Sequence, residues 1–203
     1  TTTADSNTAV GSSALLVNTT GQRNTAVGQG ALDANTTAAN NTAVGYDALG
    51  SNTEGTGNAA FGYGALTTNS TADDNTGIGN RALQNSTTGS DNTALGSNSL
   101  FSNTTGTENT SVGAYALDAS STASYNTAVG KNALTANSGG AHNVGVGRNA
   151  LDANTTGDKN IGIGSGALGS CDTGSNNVAI GVDALDASTG ADNNVAIGLE
   201  ALT

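Results

Sequence analysis

Residues Gly164 to Gly169 read Gly-Ser-Gly-Ala-Leu-Gly, which spells G-x-G-x-x-G. That motif binds a dinucleotide only between a strand and the N-terminus of a helix, where bare backbone approaches the pyrophosphate. No helix-forming stretch follows here, so no nucleotide site is expected. Carboxylates are a second candidate chemistry. Asp33, Asp118, Asp152 and Asp186, together with Asp73, Asp74, Asp91, Asp158 and Asp192, supply oxygen ligands of the kind calcium takes. They form no D-x-D-x-D-G loop and no continuous column, so a solvated acidic face is expected. Asp73-Asp74 is the best placed pair for a weak cation site. Arg23, Tyr125, His142 and Lys159 recur at one register position, but nothing beside them completes a Ser/His/Asp or Cys/His constellation. His142 is expected on the surface. Cys171 stands where other copies have Asn or Ser. It is expected to be a neutral variant, with an inter-chain thiol as the alternative. No catalytic residue, metal ligand set or cofactor is expected, and the chain is not expected to be an enzyme.

Composition narrows the classes further. The 203 residues include 30 Gly, no Pro, no Met, no Trp, one Cys and one His, with a net charge of −11. One Cys permits no internal disulfide. Five basic residues cannot neutralise a phosphate backbone, so nucleic acid is not an expected partner. No apolar run is long enough to span a bilayer, so membrane insertion is not expected. The chain opens at Thr1 without Met or a signal peptide, which reads as a processed or excised piece.

What positions these residues is a repeat. Asn recurs at 7, 24, 41, 58, 75, 92, 109, 126, 143, 160, 177 and 194, seventeen residues apart each time without insertion. Counting that Asn as position 1, Gly occupies position 5 and Leu position 9 in all twelve copies. Position 8 is Ala in eleven of the twelve, with Ser99 the exception. Position 4 is Val, Ile, Leu or Phe; position 3 is only Ala, Gly or Ser. The consensus is N-T-A-V-G-x-x-A-L-x-x-N-T-T-G-x-x. An invariant period means that every copy meets the same surroundings. Seventeen residues leave no room for a helical pair, and Gly, Asn and Thr form helices poorly. The expected fold is all-β: a parallel β-solenoid (β-roll) of twelve 17-residue coils, residues 1–203 forming a single repeat domain. Stacked rungs would make a rod of roughly 55–60 Å.

Within each coil, positions 2 to 4 (Thr25, Ala26 and Val27, for example) are expected to form a short strand. Alternation places positions 2 and 4 on one face and position 3 on the other. The apolar residue at position 4 is expected to face inward, and position 2 with it. The small column at position 3 is then expected outward, a stripe against which a second surface packs closely. Gly at position 5 is expected to form a corner through positive φ or close backbone approach. Positions 8 and 9 form a second short segment, with Leu in the core. Asn at position 1 is expected to stack as an amide ladder, and positions 12 to 15 form a polar turn.

Two Thr columns raise ice binding. Thr8, Thr25, Thr42, Thr76, Thr93, Thr110 and Thr127 share position 2, and Thr19, Thr36, Thr53, Thr87, Thr104 and Thr155 share position 13. Ice binding needs outward Thr on a flat strand. Position 2 reads inward, position 13 lies in a turn, and Ala59 and Asp172 interrupt the columns, so this is the third reading. Asn18, Asn35, Asn69 and Asn103 begin N-x-S/T sequons, which would place any glycan at the position-12 turn. At the termini, residues 1–6 match positions 12 to 17 and the chain stops at position 10. Together they make one repeat less one residue, so head-to-tail stacking would continue the solenoid; a segment of a longer array is the alternative.

The motif Asn177-Val-Ala-Ile-Gly181, repeated as Asn194-Val-Ala-Ile-Gly198, is similar to the head repeat of trimeric autotransporter adhesins. The longer form, clear from Asn41 to Gly55 and from Asn92 to Gly106, resembles arrays in phage tail-fibre and bacterial surface fibre proteins. The resemblance implies a left-handed parallel β-roll associating as a trimer and contacting host or matrix surfaces. Its departures are a longer period and the absence of a neck, stalk, anchor or chaperone segment. The expected function is the shaft or filament of an extracellular or cell-surface fibre, or of a virion fibre, with the chain itself as partner, as a head-to-tail filament or homotrimer. The alternative is an adhesin or receptor-binding head, with Tyr46, Tyr63 and Tyr115 as host contacts.

Overall fold

The structure is a computed structural model that describes residues 4–187 and 189–203. It contains twelve three-residue strands, from β1 (Thr8–Val10) and β2 (Thr25–Val27) at each repeat interval to β12 (Val195–Ile197). They form one parallel sheet in sequence order. Every strand occupies positions 2 to 4, and each residue pairs with its equivalent seventeen residues on, as Thr76 with Thr93 and Ile78 with Leu95. The chain is therefore an all-β solenoid.

Gly at position 5 satisfies both expectations for the corner. Its φ lies between 130° and 143° in every coil. A Cβ on Gly96 would also sit 2.5 Å from the carbonyl oxygen of Gly113 in the next coil. The backbone ladder continues past the strand: Gly28 N–H donates to Val10 O at 2.8 Å, and Leu32 N–H to Ala48 O at 3.1 Å.

The segment at positions 8 and 9 is a turn. Leu at position 9 adopts positive φ in all twelve coils, between 50° and 57°. That conformation costs an L-residue about 1–2 kcal/mol. Burying the side chain returns about 1.5–3 kcal/mol, and Leu32 through Leu168 at this position are fully buried. Among the described residues the Leu column is the only large apolar column inside the coil.

The strand's faces are the reverse of the sequence expectation. Position 3 points inward: Ala26, Ala43, Ala60 and Ala94 are fully buried. Positions 2 and 4 face outward, and Ile78, Leu95 and Ile163 are 38%, 44% and 39% exposed. The reason is space. A Cβ on Gly77 would stand 3.3 Å from Leu66 and 3.2 Å from the Ala82 carbonyl oxygen, and one on Gly162 3.2 Å from Leu151. The interior is one Leu thick, so only Ala, Gly or Ser fits opposite it, and the larger residue is forced out. The small column is thus an inward packing requirement and offers no external stripe.

Polar ladders complete the interior. The position-1 residues from Asn24 to Asn177 are buried. Each Oδ1 accepts the backbone N–H of the next Asn, as Asn58 N–H to Asn41 Oδ1 at 2.9 Å. From Asn7 to Asn177 each Nδ2 reaches the position-15 carbonyl, as Asn41 to Gly55 O at 2.8 Å. Position 12 carries a second ladder that the sequence reading placed in an open turn. Asn35, Asn52, Asn69 and Asn103 are fully buried, and Asn69 Nδ2 donates to Asn52 Oδ1 at 3.0 Å and to Ala72 O at 3.1 Å. The sequons at Asn35, Asn69 and Asn103 are therefore no surface for a glycan, while Asn18 in the first coil is half-buried.

Candidate interaction face

The chemistry-bearing residues stay dispersed along the rod. Asp73 Oδ1 accepts the Thr56 backbone N–H at 2.7 Å and its hydroxyl at 3.0 Å. Asp158 and Asp192 accept the N–H groups of Ala141 and Ser175, both at 2.7 Å. Acids at position 16 therefore serve as rung-to-rung acceptors, and Asp74 is turned out at a positive φ of 55°. Among the described residues no group of three or more His, Cys, Asp or Glu side chains is arranged to hold a metal ion. Gly164, Gly166 and Gly169 lie in a turn with no helix after it, so the dinucleotide context is missing.

Acids at position 10 line a different side. Asp33, Ala34, Asp47, Gly50, Ser51 and Thr67 border an open groove of about 400 Å³. Partial burial, and then the neighbouring Asp47, push the Asp33 carboxyl above its usual range. Burial does the same to Asp118. For Asp152 burial acts first, with Asp186 adding to it.

His142 is exposed, as expected, and its ring stacks on Tyr125 one coil earlier at 4.8 Å between centroids. Tyr46 and Tyr63 stack likewise at 5.2 Å, and Tyr115 is 42% exposed. Cys171 is fully buried, which removes it as an inter-chain thiol. Its Sγ faces the Gly174 carbonyl oxygen at 3.8 Å, and burial raises its thiol pKa.

The feature that remains is the outward face of the sheet. Two side-chain columns, positions 2 and 4, run its whole length in unbroken register. Neither column contains a charged residue in any coil. The face changes character along the rod. The first eight coils carry Thr at position 2, except Ala59, and an apolar residue at position 4. The last four carry Val144/Val146, Ile161/Ile163, Val178/Ile180 and Val195/Ile197, aliphatic at both positions. Sequence reasoning missed this face because it assigned the columns to the core. The signal that finds it is the restriction of position 3 to the smallest residues.

No protein-family model matches this chain, and neither a curated protein nor a solved structure is similar to it.

Proposed function

We propose that the chain is a non-enzymatic structural subunit, the shaft of an extracellular fibre, and that copies of it associate through the aliphatic part of the sheet face. The observation that carries this reading is the uncovered, uncharged aliphatic surface of the last four coils. Contiguous apolar surface of that kind marks an association site. A chain of net charge −11 can bring a second copy close only where neither contributes charge, and this face meets that condition. The rod itself supports a mechanical role, because each coil is tied to the next by backbone bonds and by the position-1 Asn ladder, with a second Asn ladder adding to it from Asn18 to Asn69 and from Asn137 to Asn154. The fibre-family motifs at Asn177–Gly181 and Asn41–Gly55 support the same reading. A homotrimer around the aliphatic face is its assembled form, and a head-to-tail filament, which would join coil ends instead, is the alternative that the Ile163→Lys and Ile180→Lys variants leave intact.

Sedimentation and electron microscopy of the purified chain test it. Concentration-dependent trimers or filaments are expected, and Ile163→Lys with Ile180→Lys should release monomers of unchanged circular dichroism from the trimer. A wild-type chain that remains a discrete short monomer at every concentration refutes the reading. The adhesin-head alternative has less support, since Tyr46 and Tyr63 are engaged with each other.

A further inference from the structure

The Thr side chains of the repeat divide into two groups by what their hydroxyls do. At position 13 the hydroxyl is used inside the rod: Thr53 Oγ1 donates to Ser70 O at 3.1 Å, Thr87 to Thr104 O at 3.0 Å and Thr104 to Ser121 O at 2.9 Å. At position 2, by contrast, Thr76, Thr93, Thr110 and Thr127 make no side-chain hydrogen bond among the described residues, and neither do Thr8, Thr25 and Thr42. These hydroxyls face out from the sheet, in register from coil to coil. Thr93 and Thr110 are exposed. The apolar column at position 4 runs beside them.

This surface has two-dimensional order. Along the rod, equivalent side chains repeat at about 4.8 Å, and across the strand positions 2 and 4 stand about 6.7 Å apart. Both columns consist largely of β-branched residues, whose χ1 is stiff, so methyl and hydroxyl groups are held in place before any ligand arrives. The Asn ladder at position 1 runs beside the strands from coil to coil, and side-chain ladders of that kind stabilise a flat, many-stranded sheet. A flexible peptide or a solvated protein surface has no matching two-dimensional lattice. Crystalline water does, with oxygen spacings near both of these repeats and with hydroxyl groups as partners.

We propose that the threonine-bearing part of this face, from Thr76 to Thr127 with Thr8 to Thr42 extending it, binds ice. The stacked hydroxyls anchor to lattice oxygens, and the methyl troughs between them hold ordered water. This goes beyond the fibre reading and does not depend on it, because the threonine coils and the doubly aliphatic coils occupy different lengths of the rod.

The test is growth of a single ice crystal in a solution of the purified chain, with uptake of the chain into a slowly growing ice shell as a second measurement. The wild type is expected to facet the crystal, to separate its freezing point from its melting point and to concentrate in the ice. Thr93→Tyr with Thr110→Tyr, which fills the troughs, should abolish all three. Ser97→Tyr is the control: it adds the same ring at position 6, where Tyr46 and Tyr63 already stand, and should leave all three unchanged. Circular dichroism confirms that both variants fold. Round crystals with no gap between freezing and melting for the wild type overturn the proposal, as does full activity in the double variant. An inactive wild type that still assembles overturns ice binding alone.

Discussion

Replacing Asn92 by Asp changes one atom's chemistry without changing shape, and the structure fixes what that costs. Asn92 is fully buried in the sixth coil. Its Nδ2 donates to Gly106 O at 2.8 Å, to Ser90 O at 3.1 Å and to Asn75 Oδ1 at 3.2 Å. Its Oδ1 accepts from Asn109 N at 3.0 Å and Asn109 Nδ2 at 3.1 Å. Asp keeps the accepting oxygen. In place of the amide nitrogen it presents a second oxygen to three acceptors. Ionised, it is both desolvated and repelled, so its folded-state pKa rises above the unfolded value near 3.9. A rise of about three units is worth about 4 kcal/mol. The protonated acid still lacks one of the amide's two hydrogens, a loss of about 1 kcal/mol. Because the folded pKa is the raised one, the deficit is smallest below the unfolded pKa and grows as pH rises toward the folded pKa. Asn92→Asp should thus lose about 5 kcal/mol at pH 7 and about 1–2 kcal/mol at pH 4 relative to wild type. Urea unfolding followed by circular dichroism at both pH values measures this. A deficit under about 1 kcal/mol at pH 7, or one that does not change with pH, refutes the account of the ladder as an obligatory donor–acceptor chain.

Acidification should stabilise the wild type itself. The carboxyls of Asp33, Asp118 and Asp152 are held above their ordinary range mainly by burial, so the stability they contribute is fully present below the unfolded pKa and is lost as pH rises through the folded one. The melting temperature should be higher near pH 4 than at pH 7, and Asp118→Asn should flatten the dependence; a midpoint that falls steadily with acid contradicts this. Gly96→Ala should cost several kcal/mol, since φ is +143° and the new methyl would meet Gly113 O at 2.5 Å. Gly139→Ala meets nothing nearer than Thr156 at 4.0 Å and should be neutral or stabilising by up to about 1 kcal/mol; thermal melts of the two variants together test the distinction. Cys171 should react with a thiol reagent only at the rate of unfolding, and Cys171→Ser should fold normally, because Ser86 and Ser120 occupy the same buried position. Prompt labelling of the folded chain contradicts that placement.

Much of this architecture can be read from periodicity alone. The seventeen-residue spacing identifies a parallel solenoid, and the strand falls on positions 2 to 4 in every coil. The invariant Gly marks the corner, and the invariant Asn marks a ladder. Even an exception in one column explains an exception in another. Ser99 is the single break in the Ala column at position 8 and Ser111 the single Ser at position 3. They meet across the core, Ser99 Oγ donating to Ser111 Oγ at 2.7 Å and Ser111 Oγ to Ala116 O at 2.8 Å. Ser99 Oγ also lies 3.0 Å from the Ser111 carbonyl oxygen, so both buried hydroxyls have acceptors and neither carries the cost of an unmade hydrogen bond. The second Asn ladder was not legible, because Asn-Thr-Thr-Gly has the composition of an exposed turn. What buries Asn35 and Asn69 is the coil closing over them, which no local pattern records.

The strand's inward face runs against its hydrophobic pattern for a reason that also explains what the protein has to offer. Hydrophobicity predicts that the largest apolar residue of an alternating strand faces the core. That rule assumes a core deep enough to receive it. Here the interior between position 3 and the Leu column is filled by Leu itself, so volume decides against hydrophobicity and the β-branched residue at position 4 goes outside. A solenoid this thin cannot hide two apolar columns. The uncovered pair follows directly from the coil length, and it repeats with the precision of the backbone ladder. Any partner for it must tolerate, or require, strict one-coil periodicity over tens of ångströms, as another copy of the rod does for the aliphatic coils and a crystal lattice does for the hydroxylated ones.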